Sequence, residues 1–279
     1  MTFQHVPPMN TATPSEVPYA IACAYFGGLD PDHFAGVLPL EYGSPRVLLI
    51  RTMGVPYIDQ ARAILAAGAL QHLPEEGVLM MLDHDIIFNP ADVPKLVEAC
   101  AQSDYDILGV PYSMRGEGKS LIGFPVTPRD GSDLELDCYE AGGLYPADAL
   151  GMGFTAIKMR VFHELKKHVP KILIGTRAVA WPFFALAVQE DAVEFEGERM
   201  AFYHGEDVSF CRLARKHGFK VGLDTRPRIA HKGSKLFMLE DTSFMVPMAR
   251  SFHMKLRGNP GGYEPGNPFV QSAPLAQKE

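Results

Sequence analysis

Short apolar runs alternate with stretches of helical periodicity over the first 110 residues, and that alternation limits the chain to an α/β architecture. Tyr19-Ala20-Ile21-Ala22-Cys23-Ala24 is a first strand, ending in the loop Tyr25-Phe26-Gly27-Gly28. Arg46–Ile50 is a second, followed by a helix over Ile58–Gln71 with Ala61, Ile64, Leu65, Gly68 and Ala69 at helical spacing. Val78–Leu82 is a third, and Asn89-Pro90-Ala91-Asp92 starts a helix with Val93, Leu96, Val97 and Cys100 on its apolar face. Asp106–Val110 is a fourth strand. The order predicts a Rossmann-like, mostly parallel central sheet flanked by helices, joined by right-handed crossovers, with a ligand crevice at the strand C-termini.

Beyond Pro111 the pattern breaks into Gly, Pro and charged residues, read as an irregular excursion over 111–148 that carries a hairpin or a mobile segment over the site. Ala149–Lys158 returns as a strand entered through glycines, and Arg160–His168 suits a helix. Residues 170–204, rich in Pro, aromatics and acids around Trp181, form a second excursion. Gly205–Asp224 reads as an acidic helix start, an amphipathic helix with Val208, Cys211, Leu213 and Ala214 inward, a stop at Gly218 and a strand. That strand leads through Arg228-Ile229-Ala230 to His231. The division expected is a flexible leader at 1–17, one domain at 18–240 and a tail at 241–279.

With 279 residues, 47% of them hydrophobic, the chain can bury one large core. A net charge of −7 argues against a globally basic nucleic-acid binder, and Arg212, Arg215, Lys216 and Lys220 read as a solvated helix face. Cys23, Cys100, Cys138 and Cys211 lie far apart without a C-x-x-C pair, which points away from a zinc knuckle or a disulfide framework. The first eighteen residues are polar and proline-rich, and no run approaches the ~20 apolar residues that span a bilayer. A soluble, cytoplasmic protein is expected.

Three motifs carry chemistry. Asp83-His84-Asp85 follows the apolar run Gly77–Leu82, and two carboxylates one residue apart at a strand end can hold a divalent cation together with a ribose or phosphate. Asp in that place also serves as a turn former or helix cap. Glu206-Asp207 opens a helix, where acids are favoured by the macrodipole alone. His231 follows the next strand. His84, in an extended chain, points to the opposite side from both aspartates and is read as structural.

Taken in order, Asp83-His84-Asp85, Leu150-Gly151-Met152-Gly153-Phe154, Gly205-Glu206-Asp207 and His231 resemble the motifs of a metal-dependent glycosyltransferase of the GT-A fold, of the broad family-two-like type. The likeness spans roughly residues 18–235. It implies transfer of a hexosyl or pentosyl group from a nucleotide-sugar donor to an acceptor hydroxyl. It also implies Mn²⁺ or Mg²⁺ held by Asp85 and His231, with Asp83 on the ribose side or at the metal's water. Asp207 becomes the base of an inverting reaction and Glu206 an acceptor or structural contact. Arg62 resembles an arginine near the nucleotide, Gly153 the glycine-bearing segment, and Tyr25 and Gly27 a loop that stacks on or cradles the base. The acceptor stays open among a glycan, a lipid-linked sugar, a protein and a modified DNA base. A nucleotidyltransferase, or a nucleotide-sugar-binding protein without turnover, is the alternative.

Overall fold

The structure, a computed structural model, describes residues 17–28, 30–43, 47–115, 121–122, 124–125, 142–233 and 235–238. The leader apart from Val17, the tail, Cys138 and most of the excursion after Pro125 lie outside the described residues. The first elements are β1 (Tyr19–Tyr25), α1 (Pro31–Tyr42), β2 (Leu48–Met53), α2 (Ile58–His72), β3 (Val78–Asp83), β4 (Ile86–Phe88), α3 (Asp92–Gln102) and β5 (Ile107–Gly109). Then come β6 (Tyr112–Ser113), β7 (Leu121–Ile122), β8 (Phe124–Pro125), β9 (Leu144–Ala149), β10 (Phe154–Lys158) and α4 (Met159–Leu165). Last are β11 (Ile172–Ile174), β12 (Ala178–Ala180), β13 (Ala187–Phe195), β14 (Glu198–His204), α5 (Glu206–Lys216), β15 (Val221–Asp224), β16 (Ile229–Lys232) and β17 (Leu236–Phe237).

The main sheet has the order β2-β1-β3-β10-β5-β15-β9-β8. β1 pairs in parallel with β2 and β3, and β15 with β5; β10 lies antiparallel between β3 and β5, and β9 antiparallel to β15 and β8. Six of the eight strands therefore share one direction, and the chain adopts the expected α/β class with a mostly parallel sheet flanked by helices. Alternation along the strands divides the core in two. Ala20, Ala22, Leu79 and Met81 pack with Leu65, Phe162 and Phe210 of α2, α4 and α5, whereas Ile21, Cys23, Met80 and Leu82 pack with Val37 of α1 and Val93 and Leu96 of α3. A strand buried on both faces has no polar side, which is why β1 and β3 read as unbroken apolar runs.

Several expectations are corrected. β2 begins later and runs on to Met53, because its register with β1 continues to Tyr25↔Met53. α1 was not foreseen: Asp30 caps it by accepting from the N–H groups of Asp32 and His33, and Pro31 fills its first turn. β9 lies inside the first excursion, and 170–204 is ordered as the hairpins β11–β12 and β13–β14. No described helix is long and apolar enough to cross a membrane.

A small second sheet, β17-β16-β4, stands beside the C-terminal end of β3 and is antiparallel throughout. Behind it, Gly153 closes the turn into β10. Its carbonyl accepts the Asp83 N–H at 3.0 Å, its own N–H donates to Tyr112 Oη at 3.2 Å, and a Cβ there would lie 2.6 Å from that oxygen. Tyr112 is buried and cannot move aside freely. Gly153→Ala is expected to cost ~1–3 kcal/mol in urea denaturation through overpacking. Adding Tyr112→Phe, which deletes the nearest atom, recovers part of that loss.

Candidate active site

The pairing of β4 with β16 decides where the two expected cation ligands go. His231 stands opposite Ile86, the residue after Asp85, and the Lys232 N–H donates to the Asp85 carbonyl at 2.7 Å. His231 Nε2 consequently lies 3.5 Å from Asp85 Oδ2. The other ring nitrogen, Nδ1, is 3.0 Å from the Ser113 carbonyl, which can only accept. Nδ1 therefore carries a proton, and Nε2 faces Asp85, donating to it when the ring is protonated and offering a lone pair to a cation when it is neutral. Burial alone would raise the Asp85 carboxyl, but His231 and Arg115 outweigh it and hold it below the usual carboxylate range.

Arg62, 4% exposed in the second turn of α2, joins the other acids. One of its nitrogens donates to both Asp83 oxygens at 2.9 Å, and another to Glu206 Oε1. Burial works against the guanidinium charge, yet Asp83 and Glu206 outweigh it and push its pKa up. Arg62 thus forms ion pairs that tie the end of β3 to the start of α5. Among the described residues Asp207 has no such partner; its Oδ1 accepts the neighbouring Val208 N–H at 2.7 Å. Burial and the Glu206 charge, opposed by Arg62, push its carboxyl up to about 6.

The remaining expected residues take varied places. Tyr25 is buried, its hydroxyl 3.3 Å from His33 Nε2, so the exposed ring of that loop is Phe26. Gly27 turns the loop at φ 89°, in the left-handed region. β3 stops at Asp83 and the chain turns at His84, whose ring sits beside Tyr25, centroids 6.3 Å apart. Trp181 is a packing anchor, stacked on Phe183 and set against Ala63 and Ala67 of α2.

Five further residues that the sequence did not single out build the surroundings. His33 is buried and bridges Tyr25 to the Ile86 carbonyl at 2.9 Å, with burial lowering its pKa. Lys232 Nζ pairs with Asp30 and Asp32, at 2.8 and 2.6 Å, fastening the α1 cap to β16. Arg115 Nη1 is 2.9 Å from Asp85 Oδ2. A basic residue directly after His231 was the one sequence signal among them.

Among the described residues, no group of three or more His, Cys, Asp or Glu side chains could hold a metal ion. Asp85 and His231 supply two donors, one oxygen and one imidazole nitrogen whose tautomer is fixed. That set fits Mn²⁺ or Mg²⁺ in the mode where one or two protein groups share the cation with substrate phosphates and water. Asp83, with both oxygens on Arg62, stands outside that pair.

No protein-family model matches the chain, and no curated protein matches it. Among solved structures it is similar to A197 from STIV, with 13% identity and a TM-score of 0.46 over 84% of this chain and 100% of that one. It is also similar to the crystal structure of GalNAc-T7 with UDP, GalNAc and Mn²⁺, with 14% identity and a TM-score of 0.42 over 76% of this chain and 43% of that one.

Two stability measurements test these electrostatics. Arg62→Met leaves Asp83 and Glu206 facing each other without a cation and is expected to cost ~2–4 kcal/mol at pH 7, below the fully buried case because both acids reach solvent in part. Asp207, with a native pKa of about 6, keeps a proton that the unfolded chain has already released in the window above pH ~4. Its contribution to stability therefore falls as pH rises through that window. Asp207→Asn is expected to stabilise the fold by ~1–3 kcal/mol at pH 7 and to leave it unchanged at pH ~4.

Proposed function

We propose that this crevice transfers a sugar from a nucleotide-activated donor to an acceptor hydroxyl, as in metal-dependent glycosyltransferases of the GT-A type. The observation that supports the reading is that Asp85 lies beside His231 just after β3, while Arg62 ties Asp83 at the end of β3 to Glu206, whose neighbour Asp207 is an acid with a raised pKa. A crevice at the C-terminal ends of parallel strands is where open α/β sheets take nucleotides. Asp85 and His231 would hold Mn²⁺ or Mg²⁺, which when bound neutralises the charge that gathers on a departing diphosphate.

The chain's own residues divide the remaining work. Asp207, ionised at neutral pH from a pKa near the operating range, accepts the acceptor hydroxyl proton. The acceptor oxygen then bonds to the anomeric carbon while the bond to the diphosphate oxygen breaks, its electron pair leaving with the diphosphate. Asp207 as base makes the transfer inverting. Arg62 holds Asp83 and Glu206 in place, so that Asp83 borders the ribose side and Glu206 the acceptor side. Phe26, exposed beyond the turn at Gly27, offers the nucleobase an aromatic face in place of Tyr25.

A panel of nucleotide sugars incubated with Mn²⁺ and assayed for nucleoside diphosphate release tests the reading. Release with at least one donor is expected. Its absence, with no donor binding, would sink the proposal; pyrophosphate as product would mark a nucleotidyltransferase, and binding without turnover a non-catalytic protein. Asp85→Ala is expected to abolish Mn²⁺-dependent donor binding. Asp207→Asn should lower kcat by roughly 10²–10⁴-fold with little change in donor binding. The wild-type kcat should rise with pH through about 6 and then level, as Asp207 loses its proton.

A further inference from the structure

One charged side chain reaches the Asp85 carboxylate from outside the ligand pair. Arg115 Nη1 lies 2.9 Å from Asp85 Oδ2, the same oxygen that His231 Nε2 approaches at 3.5 Å. Its stem runs alongside Gly233, where an added Cβ would meet Arg115 Cδ at 3.3 Å and Cγ at 3.4 Å. The guanidinium is therefore laid across the pair from the β16 side. Arg115 comes two residues after Ser113, whose carbonyl fixes the His231 tautomer. One short segment thus prepares the imidazole as a ligand and covers the carboxylate that would share the ion with it.

The two partners differ in what separation costs them. The Arg115 side chain is 53% exposed and can return to water, whereas the Asp85 side chain is 15% exposed and needs a counter-charge. A guanidinium and a divalent cation on one carboxylate oxygen repel each other strongly. Both cannot be held at full strength together.

We propose that Arg115 is a resident counter-ion of Asp85 that a divalent cation must displace, so that an Arg115-bound and a cation-bound carboxylate are alternative states of this site. The inference rests on the reading of Asp85 and His231 as cation ligands. Its consequence is a conditional site: Asp85 stays neutralised before loading, and the apparent affinity for the cation is reduced by the fraction of molecules in which Arg115 is in place. Displacement also frees a planar, bidentate donor beside the crevice.

Mn²⁺ alone is the probe, titrated into the full chain without nucleotide and followed by the loss of the free-ion electron paramagnetic resonance signal. Arg115→Gln is expected to bind Mn²⁺ about fivefold more tightly than wild type, the gain that follows from removing a half-exposed ion pair. Arg115→Lys, which keeps a charge without the fork, should fall between them. Equal or weaker binding by Arg115→Gln overturns the proposal and leaves the Asp85–His231 site standing. Mn²⁺ binding by neither protein, or binding that survives Asp85→Ala, overturns both the site and the proposal.

Discussion

The buried guanidinium of Arg62 is the interaction on which the rest of the site depends. Asp83 and Glu206 come from elements far apart in the chain, the end of β3 and the start of α5, and both meet the same side chain. Two carboxylates so placed would repel each other and lose hydration, at a cost of several kcal/mol per ion in a poorly solvated place. Arg62 removes the repulsion and supplies hydrogen bonds in a fixed plane. It is also saturated by that role. Asp207, one residue further on, lies next to the cluster, and its burial together with the Glu206 charge raises its pKa against the opposing pull of Arg62.

A second constraint acts on the other side of the crevice and is made of backbone. The register His231↔Ile86 and the bond from the Lys232 N–H to the Asp85 carbonyl set the imidazole beside the carboxylate before any side-chain preference enters. The Ser113 carbonyl then selects the tautomer, and Lys232, clamped to Asp30 and Asp32, ties β16 to the cap of α1. His33 completes the frame by joining β1, through Tyr25, to β4, through the Ile86 carbonyl. A ligand pair fixed by strand register has little freedom to drift, which suits a site whose partners must be held to a fraction of an ångström.

What could be read from the sequence, and what could not, follows from the range of the interactions involved. β1 and β3 were legible because burial on both faces leaves an unbroken apolar run, and α2, α3 and α5 because their apolar positions keep a helical period with start or stop residues at their ends. α1 was not, since Pro39 within it and Pro at its start resemble a loop. The hairpin β13–β14 turns on Glu196 and Gly197, both at positive φ; Glu is an uncommon first residue for such a turn, and the usual Asn-Gly or Asp-Gly signal is absent. β4 is three residues long, too short to show any period, yet it is the element that brings Asp85 to His231. The insertion of β10 between β3 and β5 is a long-range choice that no local pattern records. Of the candidate site, the identity of the acids, Arg62 and His231 was visible, whereas their wiring was not.

The charges around the crevice also bear on the order in which ligands enter it. Asp83, Asp85, Glu206 and Asp207 set four carboxylates against the two guanidinium groups of Arg62 and Arg115, with His231 held in the tautomer that leaves Nε2 unprotonated when neutral. On the proposed reading, once Asp207 has ionised an approaching diphosphate would meet a wall with an excess of negative charge, and Coulomb repulsion at short range in a half-buried crevice is not negligible against a typical binding free energy. Arg62 redresses little of this, because its Nη1 and Nη2 already donate to Glu206 and Asp83. Arg115 can do so only by leaving Asp85, which would then need another cation. On the proposed reading the charge balance couples the two events: a dianionic leaving group and a divalent cation would each be poorly accommodated alone and better accommodated together. Such coupling favours joint entry over entry of either partner singly, and it arises from the commitment of Arg62 to Asp83 and Glu206 together with the displacement of Arg115.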